Sequence, residues 1–425
     1  PDEDIIIIAQ TMGPADLMDY NYERIRGLII EDCTPTMHVV IVARALNIPV
    51  IAKIHGAMKD VKAGELIAIN GNDAAVYIDP SESMINEYRK KSVGLKKVFA
   101  DLKEIADKPS KTIDDIKINL FLNYGLDLDY NYIEPTHCAG IGLYRTEITF
   151  MTSDKLPDVE AQIRQYQKLY SLLDDKKIIF RSLDVGSDKF LPYWGEIKED
   201  NPAIGWRSIR ITLDRRAILR QQIRAMLRAA AGKELNVMFP MISTLQEFLD
   251  AKETLMLEYE HEKQRQNPTA RSVKVGIMIE VPSILFQLDD IMQQVDFVSI
   301  GTNDLFQFIY ACDRSNPRLT RRYDVLSAPF LRIMKTIVDK AGQYKVPCSV
   351  CGEMASNPIE AMCLVGLGYR NLSVSGAAFA NVKKMVTSMR YEDVADYIRT
   401  LLKSTKVSLR PQLTAYAYDH GIAIE

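Results

Sequence analysis

The stretch D-F-V-S-I-G-T-N-D-L-F-Q-F-I-Y-A-C-D-R, residues 296–314, decides how this chain is organised. Residues 296–300 form a short apolar run that reads as a buried strand, and the run ends abruptly in Gly301, Thr302, Asn303 and Asp304 before an apolar helical pattern resumes. A strand that stops in a small residue, an amide and a carboxylate offers oxygen ligands to a hard cation, with Asp304 the charged one. The same residues also make an ordinary turn and helix cap, so this stretch alone leaves both readings open.

Strand-like runs of the same kind recur on either side of it. From residue 111 onward they fall at 116–123, 140–144, 177–183, 236–241, 275–281, 296–301, 347–351 and 371–376, separated by helical segments. Eight such units predict an α/β fold with a C-terminal (β/α)8 TIM barrel, in which chemistry collects at the C-terminal ends of the strands. Those ends carry Asn123, Arg145, Arg181 with Asp184, Met241, Glu280, Asn303 with Asp304, Cys351 with Glu353, and Ser375. Glu280 and Asp304, on successive strands, form a pair of carboxylates able to share one Mg²⁺, which takes oxygen ligands and keeps positions for substrate phosphate and water. Arg145, Arg181 and Arg207 supply guanidinium forks for a small polyanion, and Lys189 adds a point charge. Each residue has a structural alternative: Glu280 capping a loop, Arg145 pairing with Glu147, Arg207 holding down a helix. Their convergence on one set of strand ends favours a magnesium-dependent site for a small phosphorylated acid.

Upstream, residues 1–80 alternate short strand candidates (5–9, 27–31, 49–53, 65–69, 75–78) with helical patterns, which reads as a small α/β domain. Within it, E-D-C-T-P-T-M-H-V-V-I-V-A-R-A-L-N-I-P-V-I (31–51) runs from a strand through a turn into a helix opened by His38. Backbone N–H groups and the macrodipole favour an anion at a helix start, so a phosphate on that ring would be stabilised there; the plainer reading is a polar residue completing a cap begun by Thr36. Residues 81–110 are long, charged and amphipathic and break at Pro109, the pattern of a linker helix, leaving 111–425 for the barrel.

Composition sets the frame. At 425 residues, 26% charged and 47% hydrophobic, the chain has the balance of a soluble enzyme of more than one domain. A net charge of -3 argues against a nucleic-acid binder, and no apolar run approaches the length of a membrane span. The six cysteines lie scattered, C-S-V-C at 348–351 being the one close pair, which points to a reducing cytoplasm without disulfides. The chain starts at Pro1 and enters a strand at once, which suggests a piece of a longer protein.

Several motifs, in this order and spacing, resemble those of the phosphoenolpyruvate-utilising enzymes, most closely Enzyme I of the bacterial phosphotransferase system in its nitrogen-branch form. They are P-T-M-H-V-V-I-V-A-R (35–44), G-L-Y-R-T-E-I-T-F-M (142–151), R-S-L-D-V-G-S-D-K (181–189), N-P-A-I-G-W-R-S-I-R (201–210), V-M-F-P-M-I (237–242), G-I-M-I-E-V-P (276–282), V-S-I-G-T-N-D-L-F-Q-F (298–308) and V-C-G-E-M-A (350–355). The resemblance implies that the small domain is a swivelling phosphohistidine domain. Phosphoenolpyruvate would bind at the barrel mouth on Mg²⁺ and pass its phosphoryl group to His38, releasing pyruvate, and the group would go on to a histidine phosphocarrier protein. It further implies Glu280 and Asp304 as metal ligands, Arg145, Arg181, Asn303 and Arg314 as substrate contacts, Arg207 as a phosphate contact and Cys351 as the acid that protonates the enolate carbon. A homodimer through the barrel, and a carrier-docking helical domain upstream of residue 1, are also implied.

The sequence departs from the family around the histidine: Cys33 and Thr34 stand where glycines are usual, Met37 where a serine is, and Ser187 where a glycine is common. Side chains there crowd a phosphate approaching the backbone. Two other readings therefore stand beside the phosphotransferase: a regulator that senses phosphoenolpyruvate without being phosphorylated, and a dikinase or synthase relative, which would need a nucleotide-binding segment that these residues do not show.

Overall fold

The computed structural model describes the chain apart from residues 1–2, 14–15, 18, 33–37, 46–47, 53, 55, 71–74, 83, 86–101, 103–104, 126–131, 152, 154, 174, 187–198, 314–318, 320–321 and 425. Most of the expected linker helix, together with Cys33, Thr34, Thr36, Met37, Ser187, Lys189 and Arg314, lies outside the described residues.

Strands β1 (Ile5–Ala9), β2 (Ile25–Ile30) and β3 (Val50–Ala52) form a three-stranded parallel sheet in that order. The helix His38–Ala45 lies between β2 and β3 in the chain and buries Val39, Val40, Val42 and Ala43 with Leu17, Ile25, Leu28 and Ile48. β4 (Ile67–Asn70) and β5 (Ala75–Ile78) pair antiparallel. These elements coincide with the strand candidates of residues 1–80.

The remaining eight strands close into a parallel barrel in chain order. They are β6 (Asn119–Tyr124), β7 (Gly140–Arg145), β8 (Lys177–Arg181), β9 (Glu234–Phe239), β10 (Ser272–Ile279), β11 (Phe297–Ile300), β12 (Cys348–Val350) and β13 (Asn371–Val374). Closure is made by β13 on β6, with Leu372 opposite Leu120. Each of the eight expected runs overlaps its strand, with ends displaced by up to three residues.

Two-residue alternation sorts the side chains. Outward-facing Tyr144 and Phe180 stack edge to face with each other and with Tyr166 of the helix Val159–Leu173, at centroid distances of 5.2–5.8 Å. Inward, Leu143, Ile179, Met238, Met278, Phe297 and Cys351 form a second, smaller apolar cluster that plugs the lumen. The register then does the positioning. Two residues beyond Leu143, Ile179 and Met278 on the same face come Arg145, Arg181 and Glu280, which places a ring of charge directly above an apolar plug.

The ends of the barrel are tied together by a carboxylate. Asp114, ahead of β6, accepts from the backbone N–H groups of Tyr391 and Glu392 at 2.8 and 3.0 Å, capping from outside the helix Tyr391–Leu401 that follows β13. Burial opposes ionisation, but the hydrogen bonds from Thr112 and from these two N–H groups prevail and bring the Asp114 pKa down to about 2. A folded-state pKa below the unfolded value gives stability that is present above the unfolded value near 3.8 and is lost as pH falls through about 2. Asp114→Ala is therefore expected to cost about 1 kcal/mol at pH 7 in denaturant melts, with the deficit shrinking towards pH 2; a deficit that is constant with pH would remove the cap from this account.

Candidate functional site

The site begins with a buried carboxylate. Glu280 follows β10, is 2% exposed, and accepts from the backbone N–H of Met241 at 2.6 Å. Met241 holds that N–H with a left-handed backbone (φ 57°), a conformation costly for a residue with a long side chain and here spent on aiming one donor at one carboxylate. Across from Glu280 lies Gly301 at the end of β11, where an added Cβ would stand 2.5 Å from Glu280 Oε2; only a glycine leaves the carboxylate its place. Burial first, and the neighbouring carboxylates of Asp304 and Asp184 next, push the Glu280 pKa up to about 8, against the opposing pull of Arg181.

Asp304 sits in the first turn of the helix Thr302–Ile309 that leaves β11. Asn303 beside it accepts from the Glu353 N–H at 3.0 Å, which joins this helix to the loop after β12. Gly352 makes that junction possible, because a Cβ there would stand 2.8 Å from the Thr302 backbone nitrogen.

The arginines arrive from the opposite wall. Arg145 and Arg181 are register partners at the ends of β7 and β8. Glu147 Oε1 accepts from Arg145 Nε at 3.2 Å and from Arg181 Nη2. Arg181 Nη1 pairs with Asp184 Oδ2 at 3.0 Å; Arg207 Nη2 donates to Asp184 Oδ1 at 3.0 Å and stands 3.9 Å from Asp304 Oδ2. Ser208 Oγ also donates to Asp184. Arg145, Glu147, Arg181, Asp184, Arg207 and Asp304 thus form one line of alternating charge from β7 to β11. Arg181 and Arg207 are buried, whereas the Arg145 side chain is 45% exposed.

Cys351 closes the floor. It is 5% exposed within the lumen cluster, its Sγ is 3.6 Å from the Ile300 carbonyl oxygen, and its own carbonyl accepts from Asn123 Nδ2 at 3.2 Å, with Ser373 Oγ donating to Asn123 Oδ1 at 2.7 Å. Burial raises its pKa to about 11, Glu280 adding to the rise and Ser299 and Arg181 opposing it. At neutral pH the group is a thiol carrying its proton, an acid rather than a nucleophile.

The structure brings together Glu280, Asp304, Asn303, Arg145, Arg181, Arg207 and Cys351 at one end of one barrel. His38 opens its helix as expected, but its ring, like Arg314, is outside what is described. Asn123 is among the strand-end residues read from sequence, but Glu147 and Ser373 were not singled out as functional, and their only signals were positional: Glu147 two residues after an arginine, Ser373 in the last strand.

A divalent cation fits this arrangement. Glu280 and Asp304 are close enough for the charge of one to raise the pKa of the other, and among the described residues no group of three or more His, Cys, Asp or Glu side chains makes a metal cage. Two carboxylates, with the remaining positions left to water and a ligand's oxygens, suit Mg²⁺.

Comparisons with known proteins give the same direction. Residues 100–391 match the family described as PEP-utilising enzyme, PEP-binding domain, and residues 1–74 match PEP-utilising enzyme, mobile domain. A phosphoenolpyruvate-protein phosphotransferase of Staphylococcus carnosus is 34% identical over 395 residues, 93% of this chain and 69% of that protein. One from Priestia megaterium is 33% identical over 400 residues, covering 94% and 70%. A Salmonella typhimurium protein named phosphoenolpyruvate-dependent phosphotransferase system is 34% identical over 429 residues, 99% of this chain and 56% of its own length.

The raised pKa of Glu280 has a consequence for stability. A folded-state pKa of about 8 against an ordinary 4.5 means that the stability associated with protonated Glu280 is full below pH 4.5 and is lost as pH rises through about 8. Without metal, Glu280→Gln should leave the melting temperature nearly unchanged at pH 5 and raise it at pH 8.5, as followed by calorimetry. A variant less stable than wild type at pH 8.5 would show that Glu280 is held as a favourable ion.

Proposed function

The chain belongs to the phosphoenolpyruvate-utilising enzymes, as a phosphoenolpyruvate-dependent phosphotransferase of the Enzyme I type, and we propose that the cluster at the barrel mouth is where phosphoenolpyruvate reacts, with His38 as the first acceptor. The observation that carries this reading is the meeting of the Glu280–Asp304 pair with the line of arginines from β7 and β8. Phosphoenolpyruvate brings a carboxylate and a phosphate, and transfer of a phosphoryl group is chiefly a matter of alignment and of neutralising charge.

Glu280 and Asp304 would hold Mg²⁺, which when bound neutralises charge on the phosphate oxygens. Arg145, Arg181 and Arg207 orient the two anionic ends of the substrate, and Asn303 and Arg314 complete its contacts. The bond from phosphorus to the enol oxygen breaks while a bond from phosphorus to an imidazole nitrogen of His38 forms. The electron pair left on the enolate takes a proton at the methylene carbon from the Cys351 thiol, giving pyruvate. The apolar plug of Leu143, Ile179, Met238, Met278 and Phe297 beneath that thiol keeps it protonated and shields the enolate from water.

Residues 1–80 serve as the swivelling carrier of His38, 81–110 as the linker and 111–425 as the barrel. The phosphoryl group passes on to a histidine phosphocarrier protein, and the working unit is a homodimer through the barrel. A cytoplasmic place accords with five described cysteines that are all free thiols and with the absence, among the described residues, of a helix long and apolar enough to cross a membrane.

The test is incubation with phosphoenolpyruvate labelled on phosphorus, with and without Mg²⁺. Acid-labile label should appear on the protein with Mg²⁺ present and vanish in His38→Ala and in Glu280→Gln. Label that survives in His38→Ala would displace the acceptor. Tight binding without any label would instead favour a phosphoenolpyruvate-sensing regulator, a reading that Cys33, Thr34 and Met37 near the histidine keep in view.

A further inference from the structure

Glu147 is neither a ligand nor a substrate contact in this scheme, yet two guanidinium groups meet on one of its oxygens. Its side chain is 1% exposed. Arg145 and Arg181, opposite each other at the ends of paired strands, carry like charges whose repulsion would splay them. Glu147 Oε1, placed between, accepts from Nε of the first and Nη2 of the second.

The two arginines are held differently. Both terminal nitrogens of Arg181 are engaged, Nη2 by Glu147 and Nη1 by Asp184 at 3.0 Å, and the side chain is buried. Arg145 is gripped through Nε alone among the described residues, so its stem is fixed on a side chain 45% exposed, and no described residue bonds its two terminal amino groups. A guanidinium anchored at Nε with its outer fork open is set for two-pronged recognition of a carboxylate or phosphate.

We infer that Glu147 is a positioning residue for substrate binding: it fixes the separation of Arg145 and Arg181 and aims the open fork of Arg145 at the anionic substrate. This rests on the phosphoenolpyruvate reading above. The chemistry demands a carboxylate at this position. A glutamine could set its one carbonyl oxygen where Oε1 meets both guanidinium groups, but it carries no negative charge to offset their two like charges, so the contacts would lose their charge-assisted strength.

The experiment is a double-mutant cycle on the full chain with phosphoenolpyruvate and Mg²⁺, comparing wild type, Glu147→Gln, Arg145→Gln and the double variant. Glu147→Gln should raise KM for phosphoenolpyruvate about ten- to a hundredfold, the range for losing a charge-assisted hydrogen bond, with a smaller change in kcat. Its effect should largely disappear in the Arg145→Gln background, because it acts through that arginine. Affinity for Mn²⁺ alone, measured as a probe of the Glu280–Asp304 pair, should not change. Glu147→Asp keeps the charge and should recover part of the lost affinity; if Glu147→Gln fails to fold, the same cycle is run with Glu147→Asp. An unchanged KM in Glu147→Gln, or losses that multiply fully in the double variant, would overturn the inference while leaving the active site standing. Failure of the wild-type chain to consume phosphoenolpyruvate would instead remove the reading on which the inference rests.

Discussion

The mouth of this barrel is governed by the cost of burying charge. A guanidinium taken out of water is tolerated only beside a carboxylate, and a carboxylate only beside a cation or a donor. From Arg145 to Asp304 the structure obeys that rule without interruption: base, acid, base, acid, base, acid, each neighbour within 4 Å. Then the alternation fails. Beyond Asp304 comes Glu280, a second acid, buried and with one backbone N–H for compensation, and its pKa rises towards 8 because burial, and then the charges of Asp304 and Asp184, outweigh the pull of Arg181. The position at which a charge series lacks its next cation is where a divalent ion would do most good, and it is identified by the failure of pairing rather than by any motif.

Backbone geometry makes that position available. The apolar plug fills the lumen up to Met278, and the residue two further along the same strand face has nowhere to go but upward into the mouth. Gly301 gives it the room, Met241 gives it one donor at the expense of a left-handed backbone, and Gly352 lets the Asn303–Asp304 turn lie against the loop after β12. These glycines and this methionine hold no substrate, yet each sets where a carboxylate or amide points. Catalytic geometry here is a product of close packing beneath and beside the site.

Much of the barrel was legible because parallel strands buried on both faces leave continuous apolar runs, a pattern strong enough to mark even β12, which is three residues long. Glu280, Asp304 and the arginines were legible for a related reason: once the strands are placed, polar residues at their C-terminal ends have few structural uses. Glu147 was opaque because in sequence it reads as a local partner of Arg145, and only the register of β7 against β8 shows that Arg181, thirty-odd residues away, shares the same oxygen. The Asn123–Ser373–Cys351 contacts were opaque likewise, since they join the first barrel strand to the last two across the closure. Contacts made by closing a barrel have no local signature.

Cys351 and Glu280 show why such a site must sit on a large, well-filled scaffold. Each is kept protonated by the same low-polarity surroundings, the thiol to about 11 and the carboxyl to about 8, and for the carboxyl this is a standing loss of stability at neutral pH. Under the proposed function the loss would serve two ends that water would defeat. In the proposed mechanism a thiol that keeps its proton would be available to a carbanion-like centre, and Glu280, uncharged without metal, would supply its negative charge to a cation held there. An exposed site built from the same residues would have ordinary acids and scattered arginines. The buried one converts the stability of eight strands and their helices into groups held away from their solution states, and that displacement would be the physical basis of the reactivity proposed for it.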